Sequence, residues 1–320
     1  MLNPLTPVPF RAPGNDGTGR SGYPPAPEPL PVPVMDNHTH LDFPDAELLV
    51  GVKDALDAAA AVGVQGAVQV GCDLESSRFT VKAVELDSRL LGAVALHPND
   101  APGYARRGGL EDALAEIEAL AAHPRVRAIG ETGLDFFRTE GEGLAHQRYS
   151  FRRHIDIAKR LGLTLQIHDR DAHDDVVQVL REEGAPERVV FHCFSGDEAL
   201  ARTCNAEGWY MSFAGTVTFK NAADLRSALA IAEPGRILVE TDAPFLTPHP
   251  HRGRPNASYM VPYTVRAMAD VTGSELSELC ARMREAGNSA CTIVFCESEV
   301  YIEGPRSSVQ RQSDRSSPAN

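Results

Sequence analysis

Eight short apolar runs punctuate the chain: Val32–Met35, Val64–Val70, Leu90–Leu96, Val126–Ile129, Thr164–Ile167, Arg188–Phe191, Trp209–Phe213 and Ile237–Val239. Each has the length of a buried strand, and the stretches between them repeat apolar residues at helical spacing. Leu48, Val52, Ala55, Leu56 and Ala59 share one face of the first such stretch. Leu110, Leu114, Ile117 and Leu120 do so in a later one, and Phe151, Ile155 and Ala158 in another. Strands alternating with helices predict a parallel sheet. Eight repeats, with no GxGxxG turn after the first strand, favour a closed (β/α)8 TIM barrel over an open dinucleotide-binding sheet.

The ends break this rhythm. Residues 1–33 carry 10 of the 23 prolines and four glycines. Proline removes backbone donors and fixes φ, so the stretch reads as a disordered arm, whose PxxP-type segments could present a polyproline helix to a partner. Residues 297–320, poor in apolar residues and rich in Ser and Arg, read as a disordered tail. Residues 34–296 remain, close to the usual size of such a barrel.

Composition narrows the class further. Of 320 residues, 42% are hydrophobic and 23% charged, which excludes wholesale disorder, collagen and a membrane bundle. There is no apolar run of about 18 residues and no basic segment followed by an apolar leader, so neither a membrane span nor a signal peptide is expected. Six scattered cysteines without a CxxC pair point to the reducing cytoplasm. The formal charge is -13; the arm adds nothing and the tail one negative charge, so the barrel holds the rest. That argues against tight binding of extended duplex nucleic acid through a broad basic face.

The chemistry gathers where the apolar runs stop, and a barrel's active site lies at the C-terminal ends of its strands. The first run leads into Asp36-Asn37-His38-Thr39-His40, which puts two imidazoles on one side of an extended segment. The fourth run ends at Gly130-Glu131, where a charge after apolar residues needs a partner or a metal. The fifth ends at His168, the sixth at His192 and the eighth at Glu240-Thr241-Asp242. Four imidazoles and two carboxylates suit a pair of divalent cations about 3.5–4 Å apart, with one carboxylate bridging. Mixed nitrogen and oxygen ligation admits Mg, Mn, Zn or Co. Cys193, beside His192, reads as part of the wall.

With these segments in order, the chain resembles the TatD family of metal-dependent hydrolases, many of them deoxyribonucleases, within the amidohydrolase-like barrels. The segments are 34–42, 130–135, 166–171, 191–196 and 238–246, with Pro250-His251-Arg252-Gly253-Arg254-Pro255-Asn256 after the last strand. The resemblance implies that His38, His40, Glu131 and Asp242 hold one cation, and Glu131, His168 and His192 the second. It makes Glu131 the bridge and Asp242 the general base, and implies that His97 lines the site and touches substrate phosphate. Asp135, Glu240 and Arg170 are candidates to orient the ligands. His251, Arg252 and Arg254 are cationic candidates for phosphate, which guanidinium groups bind bidentately. His123, His146, His154, His173 and His249 read as solvent-exposed. Three departures stand out: Thr164 where proline is common, Asn99 where a second histidine is common, and a closing helix around residues 287–295 that matches only loosely.

The expected function is a two-metal hydrolase using Mg or Mn, with Zn also compatible, that trims single-stranded DNA ends from 3′ to 5′. The alternative is a small-molecule ester, lactone or amide hydrolase using the same activated water. A non-enzymatic scaffold recruiting a partner through the arm is the third reading.

Overall fold

The computed structural model describes residues 22–43, 51–296 and 299–302. All eight apolar runs form strands, parallel and in chain order. They are β1 (Val34–Thr39), β2 (Val64–Gly71), β3 (Leu90–Val94), β4 (Val126–Asp135), β5 (Thr164–Arg170), β6 (Val189–Phe191), β7 (Tyr210–Phe213) and β8 (Ile237–Val239). The ring closes just past β8. There Thr39 pairs in parallel with Ala243, the Asp242 amide donates to the His38 carbonyl at 2.9 Å, and the His40 amide donates to the Ala243 carbonyl at 2.8 Å. The chain is therefore a (β/α)8 barrel. Among the described residues no helix is long and apolar enough to cross a membrane.

Helices α1 (Val52–Ala60), α2 (Leu74–Ala83), α3 (Ala101–Arg106), α4 (Leu110–Ala121), α5 (Glu142–Leu161), α6 (His173–Glu183), α7 (Glu198–Glu207) and α8 (Ala223–Ile231) follow the successive strands. Outward strand residues such as Val94, Ile129, Ile167, Phe191 and Phe213 pack in one cluster with Leu114, Ile117, Phe151 and Ile155 of the helices. Asp73 caps α2 by accepting from the Ser76 amide, and Gly162 ends α5 at φ 64, a left-handed turn that glycine adopts without steric strain.

After β8 come α9 (Val261–Thr272) and α10 (Leu276–Cys291). Helix α10 plugs the barrel: Ala286 and Ala290 pack against Val190, Tyr210 and Leu238, and Cys291 against Met35, Leu91 and Ala128. Its last carbonyls are bonded from below. Arg127 donates to Cys291 and Thr292, and the Thr164 hydroxyl donates to the Ala290 carbonyl. Two of the departures seen in the sequence, Thr164 and the closing helix, thus meet each other. A proline at 164 would leave that carbonyl without its hydroxyl donor.

Both ends differ from expectation. Residues 22–33 are not a free arm: Tyr23 and Leu30 are buried, and Leu30 donates its amide to the Val62 carbonyl at 3.0 Å. Arg254 donates to the carbonyls of Gly22 and Tyr23, Tyr259 to that of Pro24 and Arg266 to that of Glu28. Proline lacks a donor but keeps its acceptor, and this body supplies Arg and Tyr donors. At the other end, β9 (Ile293–Cys296) pairs antiparallel with β10 (Glu299–Ile302), so the tail expected from residue 297 contains a strand. The rest of both expected disordered ends lies outside the described residues.

Candidate metal centre

His38 lies in β1 and His40 one residue beyond it, Glu131 lies in β4, His168 in β5, His192 directly after β6, and Asp242 three residues past β8. Asp36 ties the first and last of these segments together: its carboxylate accepts from the Thr241 amide at 2.9 Å, the Thr241 hydroxyl at 2.6 Å and the His38 amide at 3.3 Å. The Gly130–Glu131 peptide bond is cis. Gly133, at φ 145, sits opposite His168, and a Cβ there would stand 2.0 Å from the His168 carbonyl oxygen.

Of the six predicted ligands, the four histidines converge on Glu131, and Asp242 meets two of them. One carboxylate oxygen, Oε2, is 3.5 Å from His38 Nε2 and 4.0 Å from His40 Nε2. The other, Oε1, is 2.6 Å from His168 Nδ1, 2.8 Å from His192 Nε2 and 3.4 Å from His97 Nε2. Asp242 Oδ1 is 3.4 Å from His40 Nε2 and 3.8 Å from His38 Nε2, and the two ring nitrogens are 3.2 Å apart. Donors around a tetrahedral cation with bonds of about 2.1 Å stand roughly 3.4 Å from one another. The first group has that spacing, and the second is slightly tighter.

The outer nitrogens explain why the inner ones are free to bind a cation. His40 Nδ1 bonds the Val70 carbonyl at 2.9 Å, His192 Nδ1 bonds Glu240 at 3.1 Å, and His168 Nε2 bonds Asp135 at 3.3 Å. In these three rings each outer N–H has an acceptor, so the inner lone pair faces a carboxylate oxygen; His38 Nδ1 is buried with no partner among the described residues. Lone pair against carboxylate is repulsive unless a proton or a cation lies between, and an outer acceptor of this kind accompanies most metal-bound histidines. The residues therefore fit a divalent centre.

The electrostatics agree. Burial would raise the Glu131 carboxyl, but His192 and His97 and the bonds from His168 and His192 hold it well below the usual range. Burial likewise opposes, and His40, His38 and His192 outweigh it, in keeping Asp242 low. Burial works against protonating His192, yet Glu131 and Glu240 raise its pKa well above normal; Asp135 and Glu131 also raise that of His168, against burial. Cations would displace those protons.

Some residues stand elsewhere than expected. His97 stands beside the second group, its Nε2 3.4 Å from Glu131 Oε1, and its Nδ1 accepts the Asn99 amide at 3.1 Å, which places the neutral ring's proton on Nε2. Arg254, expected to face phosphate, clamps residues 22 and 23 with its Nε and Nη2. Arg252 is exposed and lies 3.9 Å over the Phe219 ring. Burial and Arg254 lower the pKa of His251. His154, expected in solvent, is fully buried. Asn99 donates to the Asp135 carboxylate at 2.8 Å and Gln147 accepts from the Asp135 amide at 3.0 Å, so one holds the carboxylate that orients His168 and the other its backbone. Cys72, missed in the sequence, lies buried 3.8 Å from His40 Nδ1 and 3.7 Å from Glu131 Oε2. It follows the last residue of β2, so the strand-end rule used for the other ligands points to it as well. Burial pushes its thiol up to about 12.

The family model described as TatD related DNase matches residues 35–289. The uncharacterized metal-dependent hydrolase TatD of Mycobacterium tuberculosis is 49% identical over 251 residues, which is 77% of this chain and 93% of that relative. The uncharacterized metal-dependent hydrolase YabD of Bacillus subtilis is 36% identical over 250 residues, covering 78% of this chain and 94% of that one. Among solved structures, the TatD homologue YjjV from Escherichia coli shares the fold, with a TM-score of 0.74 and 23% identity over 82% of this chain and 98% of that one. The chain belongs to the TatD family of metal-dependent hydrolases.

Proposed function

We propose that the protein is a deoxyribonuclease that removes nucleotides from the 3′ end of single-stranded DNA, using two divalent cations, Mg or Mn. The observation that carries this reading is the placement of Glu131, which offers one carboxylate oxygen to His38 and His40 and the other to His97, His168 and His192. His38, His40, Glu131 and Asp242 would hold one cation, and Glu131, His168 and His192, with His97 alongside, the second. Bound there, such a pair polarises a phosphoryl oxygen and makes water acidic enough to attack at neutral pH.

The chain's own groups do the rest. Asp242 has a side chain 16% exposed, the most open of the carboxylates at the centre, and lies where an entering water is in reach. Its depressed pKa keeps it ionised and ready to accept that water's proton. Glu240 and Asp135 fix the rings of His192 and His168 from behind. The acidic barrel disfavours a long duplex but admits a strand end, because two divalent cations dominate the local field.

The test is direct. Metal-stripped protein is mixed with end-labelled single-stranded DNA, and Mg or Mn is added. The expected result is stepwise release of mononucleotides from the 3′ end, lost in Glu131→Ala. No metal-dependent release, or hydrolysis confined to carboxylic esters in the same assay, would refute the reading.

A further inference from the structure

Few large apolar side chains are exposed on the described surface, and two of them, Phe245 at 50% and Phe137 at 62%, stand at the metal-centre end of the barrel. Each is hung from a residue of that centre. The Phe245 amide donates to the Asp242 carbonyl at 2.9 Å, while buried Asn256 donates to the carbonyls of Phe245 and of Thr241. The Phe137 amide donates to Asp135 Oδ1 at 3.0 Å. The rings are also held from one side. Phe245 meets Phe43 edge to face at 6.2 Å, and Phe43 stacks on the His40 imidazole at 4.8 Å. The Phe245 ring is itself 6.4 Å from the ring of His40. Phe137 lies under the Arg170 guanidinium, 3.9 Å from its centroid.

Barrel order sets the two apart. Phe245 and Phe43 follow β8 and β1, and Phe137 and Arg170 lie at the ends of β4 and β5, across the ring. An aromatic face therefore borders the centre on each of two opposite sides. An exposed phenylalanine is ordinary when solitary, but two rings fixed by backbone bonds to the residues around one polar centre form a paired surface.

We propose that Phe245, backed by Phe43, and Phe137, backed by Arg170, are stacking platforms for the two unpaired nucleobases that flank the phosphodiester at the centre. The inference rests on the deoxyribonuclease reading and adds to it what selects single strands. Every base has a π-face, so stacking is indifferent to sequence, and that face is available only where the strand is unpaired. Arg170 over the Phe137 ring adds a cation to the same surface. A duplex would present its backbone to these rings and gain nothing from them.

The experiment compares wild type with Phe245→Ala, Phe137→Ala and Phe245→Trp on three single strands: one fully base-bearing, one abasic on the 3′ side of the scissile phosphate and one abasic on the 5′ side. Each alanine variant is expected to raise KM on the base-bearing strand about tenfold or more, the scale of one stacked base, with kcat nearly unchanged. On the strand whose matched base is missing, wild type and that variant should have the same KM. Phe245→Trp should restore the wild-type value. Equal KM for wild type and both alanine variants on the base-bearing strand overturns the platforms and leaves the nuclease standing. So does the same penalty on base-bearing and abasic strands. A wild type that cleaves none of the strands refutes both.

Discussion

Glu240 and His192 meet at 3.1 Å, carboxylate oxygen to Nδ1, in a spot closed to solvent. The same Glu240 oxygen accepts the Cys193 amide at 2.8 Å. One buried carboxylate thus fixes both the ring angle of His192, a candidate metal ligand, and the turn that follows it. Glu240→Gln keeps the shape but loses the charge. It should weaken divalent-cation binding by about 10–100-fold while the protein stays folded. Competition against a chelating dye measures it, and an unchanged affinity would show that Glu240 only fills space.

Glu131 is shared by both groups of imidazoles, so its removal should act on both at once. Glu131→Ala is expected to take bound cation from about two to below one per chain, with kcat falling by at least about 10²–10³-fold. Metal analysis of dialysed protein alongside turnover distinguishes this from His97→Ala, which touches only the second group.

Gly133 has a different kind of necessity. With φ at 145 and the His168 carbonyl 2.0 Å from where a Cβ would be, Gly133→Ala must displace β4 from β5. A loss of about 3 kcal/mol or more is expected in urea unfolding. A variant of wild-type stability would mean that the two strands can separate at little cost.

His154, which bonds the neighbours of Glu131 and His97 but neither residue itself, predicts a pH effect on stability. Burial holds its pKa near 4 rather than the ordinary 6.5. The Leu96 amide donates to its Nε2 at 3.2 Å, and its Nδ1 bonds the Ser150 carbonyl at 2.8 Å, an arrangement that only the neutral ring satisfies. Between about pH 6.5 and 4 the unfolded chain takes up a proton that the native chain rejects, so stability falls as pH falls across that window and levels off below it. The contribution is about 3 kcal/mol. His154→Gln should flatten the slope of unfolding free energy against pH by that amount, and an unchanged slope would place the sensitivity elsewhere.

Arg254 and Arg252 make a contrasting pair. Arg254 is bonded to the carbonyls of Gly22 and Tyr23, so Arg254→Ala should lower stability by about 1–3 kcal/mol. Arg252, exposed over Phe219, should leave unfolding unchanged when replaced by alanine and raise KM for DNA instead. Denaturation and steady-state kinetics on both variants check the assignment.

What the sequence revealed follows from what each signal depends on. The apolar runs mark each strand but stop early at β1, β4 and β5, where the continuation is Asn37-His38-Thr39, Glu131 to Asp135, and His168 to Arg170. Those strands continue through their polar ends, β1 and β4 with a shift of pairing register there. The clustered His, Glu and Asp residues are legible as polar and charged groups placed just where apolar periodicity ends. Cys72 was not singled out because a thiol reads as another apolar residue. His154 was misread because a lone histidine on a helix carries no mark of the Leu96 amide that it meets from 58 residues away. The binding of residues 22–33 was hidden because its donors, Arg254, Tyr259 and Arg266, lie more than 230 positions further on.

The closure of the ring through His38, Asp242 and Ala243 has a consequence for how the protein is made. The centre takes its first donors from the opening strand and its last from the segment after the eighth. No fragment that stops short of residue 242 holds a full set. With the proposed donor set, a chain emerging from the ribosome has its second group complete at His192 but lacks Asp242, and with it the full centre, until nearly the whole barrel is made.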